Sequence, residues 1–289
     1  MTQTINTNLA SLNAQRNMSG TQASLSTAMQ RLSSGLRVNS AKDDAAGLAI
    51  AERMTTQVKG MNVAVRNASD GISLSQVAES ALGRTSDIFQ RMRELAVQAR
   101  NDTNSCSDKD SLDKEFGELA KEVQRVLGGT TFNGKSVVGS DAGIITFQVG
   151  ANTSANDSID ITTTDMTSAT EITNVAGSSD GTTITRTSID GSNTSATIKT
   201  VIDNIDIAID KINSERATLG ATQSRFDAVI SNLQVATENQ AAARSRIMDA
   251  DFAAETAALS RAQVLQQAGN AMVAQANQLP QQVLSLLKG

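Results

Sequence analysis

The stretch Ala262-Gln-Val-Leu-Gln-Gln-Ala-Gly-Asn-Ala-Met-Val-Ala-Gln-Ala-Asn-Gln-Leu-Pro-Gln-Gln-Val-Leu-Ser-Leu-Leu287 holds 26 residues and no Asp, Glu, Lys or Arg, in a chain that is 19% charged. Its apolar residues Leu265, Ala268, Met272, Ala276, Leu279, Val283 and Leu286 recur at steps of three or four, which places them on one helical stripe. A surface helix ordinarily sets charge opposite such a stripe. Here the other faces are Gln, Asn, Ala and Ser, which predicts a helix packed on more than one side. Seven Gln and two Asn in the window count against a membrane span, because each amide would have to be desolvated in hydrocarbon. A coiled-coil helix packed inside its own chain is the second reading. The start of the chain has the same chemistry: from Thr2 to Gln30 the one charged side chain is Arg16. The two ends are therefore expected to pair.

The 289 residues suffice for one or two domains. With no Trp, Tyr or His, six Phe and a single proline, Pro280, the core must be built from Leu, Ile, Val, Met and Ala. That composition suits long meshed helices better than an enzyme core. A net charge of -5 and a pI near 4.9 argue against nucleic acid, which needs a basic patch. One cysteine, Cys106, excludes an internal disulfide framework. It lies in a run of turn-forming residues with no histidine to activate it, and reads as an inert exposed thiol. No catalytic, cofactor-binding or metal-binding set is expected. Met1 to Asn6 carry no basic, apolar leader, so a cleaved secretory signal is not expected.

Leu25, Met29, Leu32 and Leu36 continue a first helix until Gly35 and a polar run form a joint. Ser40-x-x-Asp43 then reads as a helix start, with Asp43 and Asp44 at its positive end rather than a catalytic pair. The stripe Val58, Met61, Val65, Ala68, Ile72, Ala78, Ala81, Thr85, Ile88, Met92, Leu95 and Ala99 predicts one helix to about Arg100, slipping near Gly71. Leu112, Phe116, Leu119, Val123 and Val126 mark another, ended by Gly128-Gly129. Ile198, Ile202, Ile205, Ile209, Ile212, Leu219, Phe226, Ile230 and Leu233 make the longest heptad pattern. It runs to a second joint at Met248-Asp-Ala-Asp251.

Between the helices, Gly129-Thr-Thr-Phe-Asn-Gly-Lys-Ser136 matches the phosphate-loop pattern G-x-x-x-x-G-K-[ST]. That loop works between a strand and a helix, whereas here a helix precedes and strand-like residues follow, so the match is formal. Ile144 to Val149 and Ser158 to Thr162 alternate like a β-hairpin. From Thr163 to about Thr197 the chain is Ser/Thr/Gly/Asp-rich, and is expected to be an exposed patch without a core. The expected fold is mainly α: long antiparallel coiled-coil helices from both ends, a small β-hairpin and a short exposed tip.

Leu32-Ser-Ser-Gly-Leu-Arg-Val-Asn-Ser-Ala-Lys-Asp-Asp-Ala-Ala-Gly-Leu-Ala-Ile50, Gln90-Arg-Met-Arg-Glu-Leu-Ala-Val-Gln98, Ala243-Arg-Ser-Arg-Ile-Met-Asp-Ala-Asp251 and Pro280-Gln-Gln-Val-Leu-Ser-Leu-Leu287 closely resemble bacterial flagellin. The resemblance implies a filament subunit of the extracellular flagellum, exported unfolded by the flagellar type III system; a hook-filament junction protein is the alternative. It implies a division into 1–44 with 245–289 as the inner filament core, 45–165 with 198–244 as an outer helical rod, and 166–197 as a variable surface tip. Leu9, Leu12, Leu25, Leu32, Leu265, Met272, Leu279, Val283, Leu286 and Leu287 are the expected inner-core residues. Implied partners are other copies of the chain, an export chaperone, hook-associated and cap proteins, and a host flagellin-sensing Toll-like receptor touched by Arg91, Leu95 and Glu115. Val283, Leu284, Leu286 and Leu287 resemble the segment read by cytosolic flagellin sensors. Neither nucleic acid nor membrane insertion is implied.

Overall fold

The computed structural model describes residues 7–178 and 186–288, with side chains of the last helix described as far as residue 278. Four of its helices are long: α1 (Leu9–Ser34), α2 (Ala45–Ala99), α5 (Ser195–Met248) and α6 (Phe252–Lys288). Between α2 and α5 come α3 (Cys106–Gly129), strands β1 (Thr131–Phe132), β2 (Lys135–Ser136), β3 (Ile144–Gln148) and β4 (Ser158–Thr162), and the short α4 (Thr170–Ala176). The predicted helices and hairpin are all present. The chain divides into two compact units, one of Met1–Thr56 with Glu238–Gly289 and one of Gln57–Thr237.

In the first unit the two joints meet. Gly35 ends α1 in a left-handed conformation, φ 70°, which glycine adopts without a Cβ penalty. Leu36 then pairs with Asp249 in a single antiparallel bridge. The Arg37 amide donates to Met248 O at 2.7 Å, the Ala250 amide to Gly35 O at 2.9 Å, and the Arg37 guanidinium to Ile247 O at 2.8 Å. Val38, Ala51 and Met248 form a small buried cluster beneath them. The start of α2 differs from expectation: the Asp43 carboxylate closes a turn by accepting from the amides of Asn39 and Ser40 and the Ser40 hydroxyl, so Asp44 takes over as cap, accepting from Gly47 N at 2.8 Å.

The second unit owns the main core. Phe89, Met92 and Leu95 of α2, Phe116, Val123 and Leu127 of α3, and Ile198, Ile205, Ile212 and Phe226 of α5 are all fully buried or nearly so. Within it α2 and α5 run antiparallel, tied by Arg93 to Asp206 at 2.6 Å and by Gln223 to Glu79 at 3.1 Å. The predicted slip at Gly71 has a physical cause: a Cβ there would lie 2.8 Å from Phe226 Cζ, so the missing side chain lets the ring reach the helix backbone. Phe226 also meets Phe147 of β3 edge to face, with centroids 5.7 Å apart. Five register pairs join β3 to β4.

The stretch 166–197 departs from expectation. Met166, Ile172, Val175, Ala176 and Ile189 are buried, so these scattered apolar residues join the core instead of forming a coreless tip. Arg186 secures the return: its guanidinium is bidentate to Asp113 (2.8 and 2.5 Å), lies over the Phe116 ring at 5.7 Å, and covers Gly117 so closely that a Cβ there would be 2.9 Å from Nη2. The Ile189 amide also donates to Asp113. Cys106 opens α3 and is exposed, behind a capping box of Ser105 and Asp108. The Ser105 hydroxyl holds the Asp108 carboxyl below its ordinary pKa. A lowered carboxylate pKa contributes stability that is present at neutral pH and lost as pH falls through the folded-state value, so this helix start weakens on acidification.

Replacing Phe226 by Ala should cost the second unit about 4 kcal/mol, the usual price of a core cavity of that size. Ile144→Ala, at a side chain 70% exposed, should change it by under about 0.5 kcal/mol. Urea unfolding of the full-length monomer measures both.

Candidate assembly surface

The uncharged ends pair, as expected, with small side chains the most deeply buried in the seam. Helices α1 and α6 run antiparallel in constant register: Asn8 Nδ2 donates to Ala276 O at 2.7 Å, Ser11 Oγ to Asn277 Oδ1 at 2.8 Å, and Gln266 Nε2 to Gln22 Oε1 at 2.9 Å, while Arg31 pairs with Glu255 at 3.0 Å. Midway, Gly269 faces Met18, and a Cβ at 269 would stand 3.8 Å from that side chain. Ser11 and Ala28 on α1, and Ala262 and Ala276 on α6, are the buried residues of the seam. On α6 the seam runs through 262, 266, 269, 273 and 276, a heptad line.

Several large apolar side chains lie outside the seam. Leu9, Leu12, Met29, Phe252, Val264, Leu265 and Met272 are each more than half exposed, up to 67% at Leu9. The stripe of Leu265 and Met272 is thus a real helical stripe, but on the face beside the seam, sharing only Ala276 with it among the described residues. Leu25 and Leu32 are half-buried on the α1 side. Leu279, Val283, Leu284, Leu286 and Leu287 belong to α6, and their side chains lie outside the described residues.

Polar groups on α1 satisfy themselves. The hydroxyls of Thr21, Ser24 and Thr27 donate to the carbonyls of Asn17, Gly20 and Ala23, four residues back, at 3.0 to 3.1 Å.

In the second unit Arg91 and Glu115 come together at the surface, 2.8 Å apart, and Arg91 also pairs with Glu94 at 2.9 Å. Leu95 does not join them. It is 1% exposed, because its position on the α2 stripe points it into the core, so it supports that surface from beneath. The exposed apolar residues nearby are Val97 (51%) and Ile207 (52%), beside the Arg93–Asp206 pair; both fall off the heptad stripe, and that was the available signal for them.

The phosphate-loop match resolves into a tight hairpin. Thr131 and Phe132 pair with Ser136 and Lys135 across Asn133-Gly134, whose φ values are 50° and 81°, the left-handed pair that an Asn-Gly turn supplies. No helix N-terminus follows it to hold a phosphate. Among the described residues no three His, Cys, Asp or Glu side chains cluster as a metal site, and no helix is long and apolar enough to cross a membrane.

A heptad-built second unit and end helices nearly free of charge, on which Leu9, Leu12, Leu265 and Met272 stay exposed, are features of a structural, self-associating class of protein. Residues 5–141 match the bacterial flagellin N-terminal helical region and residues 202–287 the C-terminal helical region. The flagellin of Halalkalibacterium halodurans is 43% identical over 98% of this chain and 99% of its own length. The flagellar filament 33 kDa core protein of Treponema phagedenis is 40% identical over 98% and 99%, and flagellin A of Vibrio anguillarum 34% identical over the full length of both. The chain belongs to the bacterial flagellin family and is a structural subunit of the flagellar filament; these relatives carry the filament reading and not that of a junction protein.

A leucine at position 269 should wedge α1 from α6 and lower the helicity of the free chain, whereas alanine, at an ordinary 3.8 Å contact, should be tolerated. Circular dichroism with limited proteolysis of the ends distinguishes the two.

Proposed function

We propose that copies of the chain assemble through the apolar side chains that α1 and α6 leave exposed, with 1–44 and 245–289 forming the inner filament core and 45–165 with 198–244 the outer layer. The observation that carries this reading is the exposure of Leu9, Leu12, Leu265 and Met272, at 67, 51, 52 and 63%, on helices nearly free of charge. Fully burying such a side chain is worth about 1.5–3 kcal/mol, and repetition in every copy makes the gain cooperative along a polymer. Leu25, Leu32, Leu279, Val283, Leu286 and Leu287 extend the same core. Export in an unfolded state through the flagellar type III system fits a subunit of the flagellin family, and a chaperone would cover the end helices before assembly. Hook-associated and cap proteins bound the polymer at its two ends. The exposed Arg91–Glu115 pair is the part of the surface offered to a Toll-like receptor.

Leu265→Glu and Met272→Lys should each abolish seeded polymerisation, because a charge desolvated in every subunit costs several kcal/mol by order of magnitude. The same changes should leave urea unfolding of the second unit unaltered. Sedimentation of seeded mutant protein is the measurement, and normal filament yield would refute the assembly surface. Arg91→Ala combined with Glu115→Ala should lower the signal of receptor-expressing reporter cells while polymerisation persists; unchanged signalling would remove those two residues from the contact.

A further inference from the structure

The hairpin tip that imitates a phosphate loop contains the only Asn-Gly dipeptide in the chain. Both residues are exposed, nothing lies within 4 Å of the position a Cβ would take at Gly134, and the Asn133 amide makes no hydrogen bond among the described residues. We propose that Asn133 is a site of spontaneous deamidation, with water as the co-reactant. The Gly134 backbone nitrogen attacks Asn133 Cγ, forming a C–N bond and a five-membered succinimide as ammonia leaves. Water then opens either carbonyl of the ring, giving aspartate or the isoaspartyl linkage. Glycine favours the attack because it has no Cβ to block the approach to its own nitrogen.

The fold sets the rate. The closed turn holds Asn133 and Gly134 in one backbone conformation, with φ at 50° and 81°, and succinimide closure needs the freedom to rotate away from it, so the reaction is assigned to the opened hairpin. Only two register pairs hold it, Thr131 with Ser136 and Phe132 with Lys135, and so short a pairing opens locally far more often than the core unfolds. The isoaspartyl product is hard to refold: it adds a backbone carbon to a two-residue turn whose flanking bonds include Val137 N to Thr130 O at 3.1 Å and Met166 N to Val138 O at 2.9 Å. Val137 and Val138 are both buried, so the lesion reaches the core.

Trypsin releases Val126 to Lys135, a peptide whose sole amide side chain is that of Asn133. Full-length chain is aged in mildly alkaline buffer prepared with oxygen-18 water, folded and in urea, and this peptide is followed by liquid chromatography and mass spectrometry. The expected result is conversion at Asn133 ahead of every other asparagine in the folded chain, as two separately eluting isomers carrying one heavy oxygen, and several-fold faster conversion in urea. If another asparagine converts first in the folded chain, or Asn133 keeps its amide there while the urea sample is fully converted, the proposal is wrong.

Discussion

Helices α1 and α6 meet along a seam whose most deeply buried side chains are small, with Met18 and Leu25 half-buried on the same face of α1. Ser11, Ala28, Ala262, Gly269 and Ala276 line the seam, and amide and hydroxyl hydrogen bonds complete it. The consequence is conservation of apolar surface: what the seam does not use must be covered by something else. An uncharged composition makes that covering inexpensive, since no ion has to be stripped of water. In the assembly proposed above, the end segments would gain further burial outside the single chain.

The second unit is organised on the opposite principle. Large side chains meet inside it, and glycine is used where a ring or guanidinium must touch backbone, at Gly71 under Phe226 and at Gly117 under Arg186. Its core is satisfied within one chain, and its surface carries ordinary ion pairs such as Lys199 with Asp203 and Lys121 with Glu118. Solvent-exposed pairs of this kind contribute little to stability, so packing and not surface charge holds this unit. Under the proposed assembly, core-filling in one unit and core-sharing in the other would divide stability from assembly along the sequence.

Much of this was legible in the residues. The heptads of α3 and α5, the Gly71 slip, the β3–β4 hairpin and the pairing of the ends all follow from local spacing, which is the part of a fold that periodicity reports. The pairing face of α6 was not legible, because hydrophobicity points to Leu265 and Met272 while the contact is made by Ala262, Gly269 and Ala276. Nor was the burial of Ile172, Val175 and Ile189: single apolar residues in a Ser/Thr-rich stretch have no period, and only α3 and the Arg186–Asp113 pair give them a place. Leu95 was named by the motif resemblance as a receptor contact, yet its place on the α2 stripe in the same sequence already pointed it into the core, where it is found.

The self-bonded hydroxyls of Thr21, Ser24 and Thr27 carry a further consequence. A free serine or threonine on a helix surface holds water through its donor, and removing that water leaves the donor unmet. Here the donor is already spent on the helix's own carbonyl, so what is left to water is methyl, methylene and an oxygen that can only accept. Drying such a surface leaves no hydroxyl donor unmet, so it costs less than drying the same number of free serine and threonine side chains.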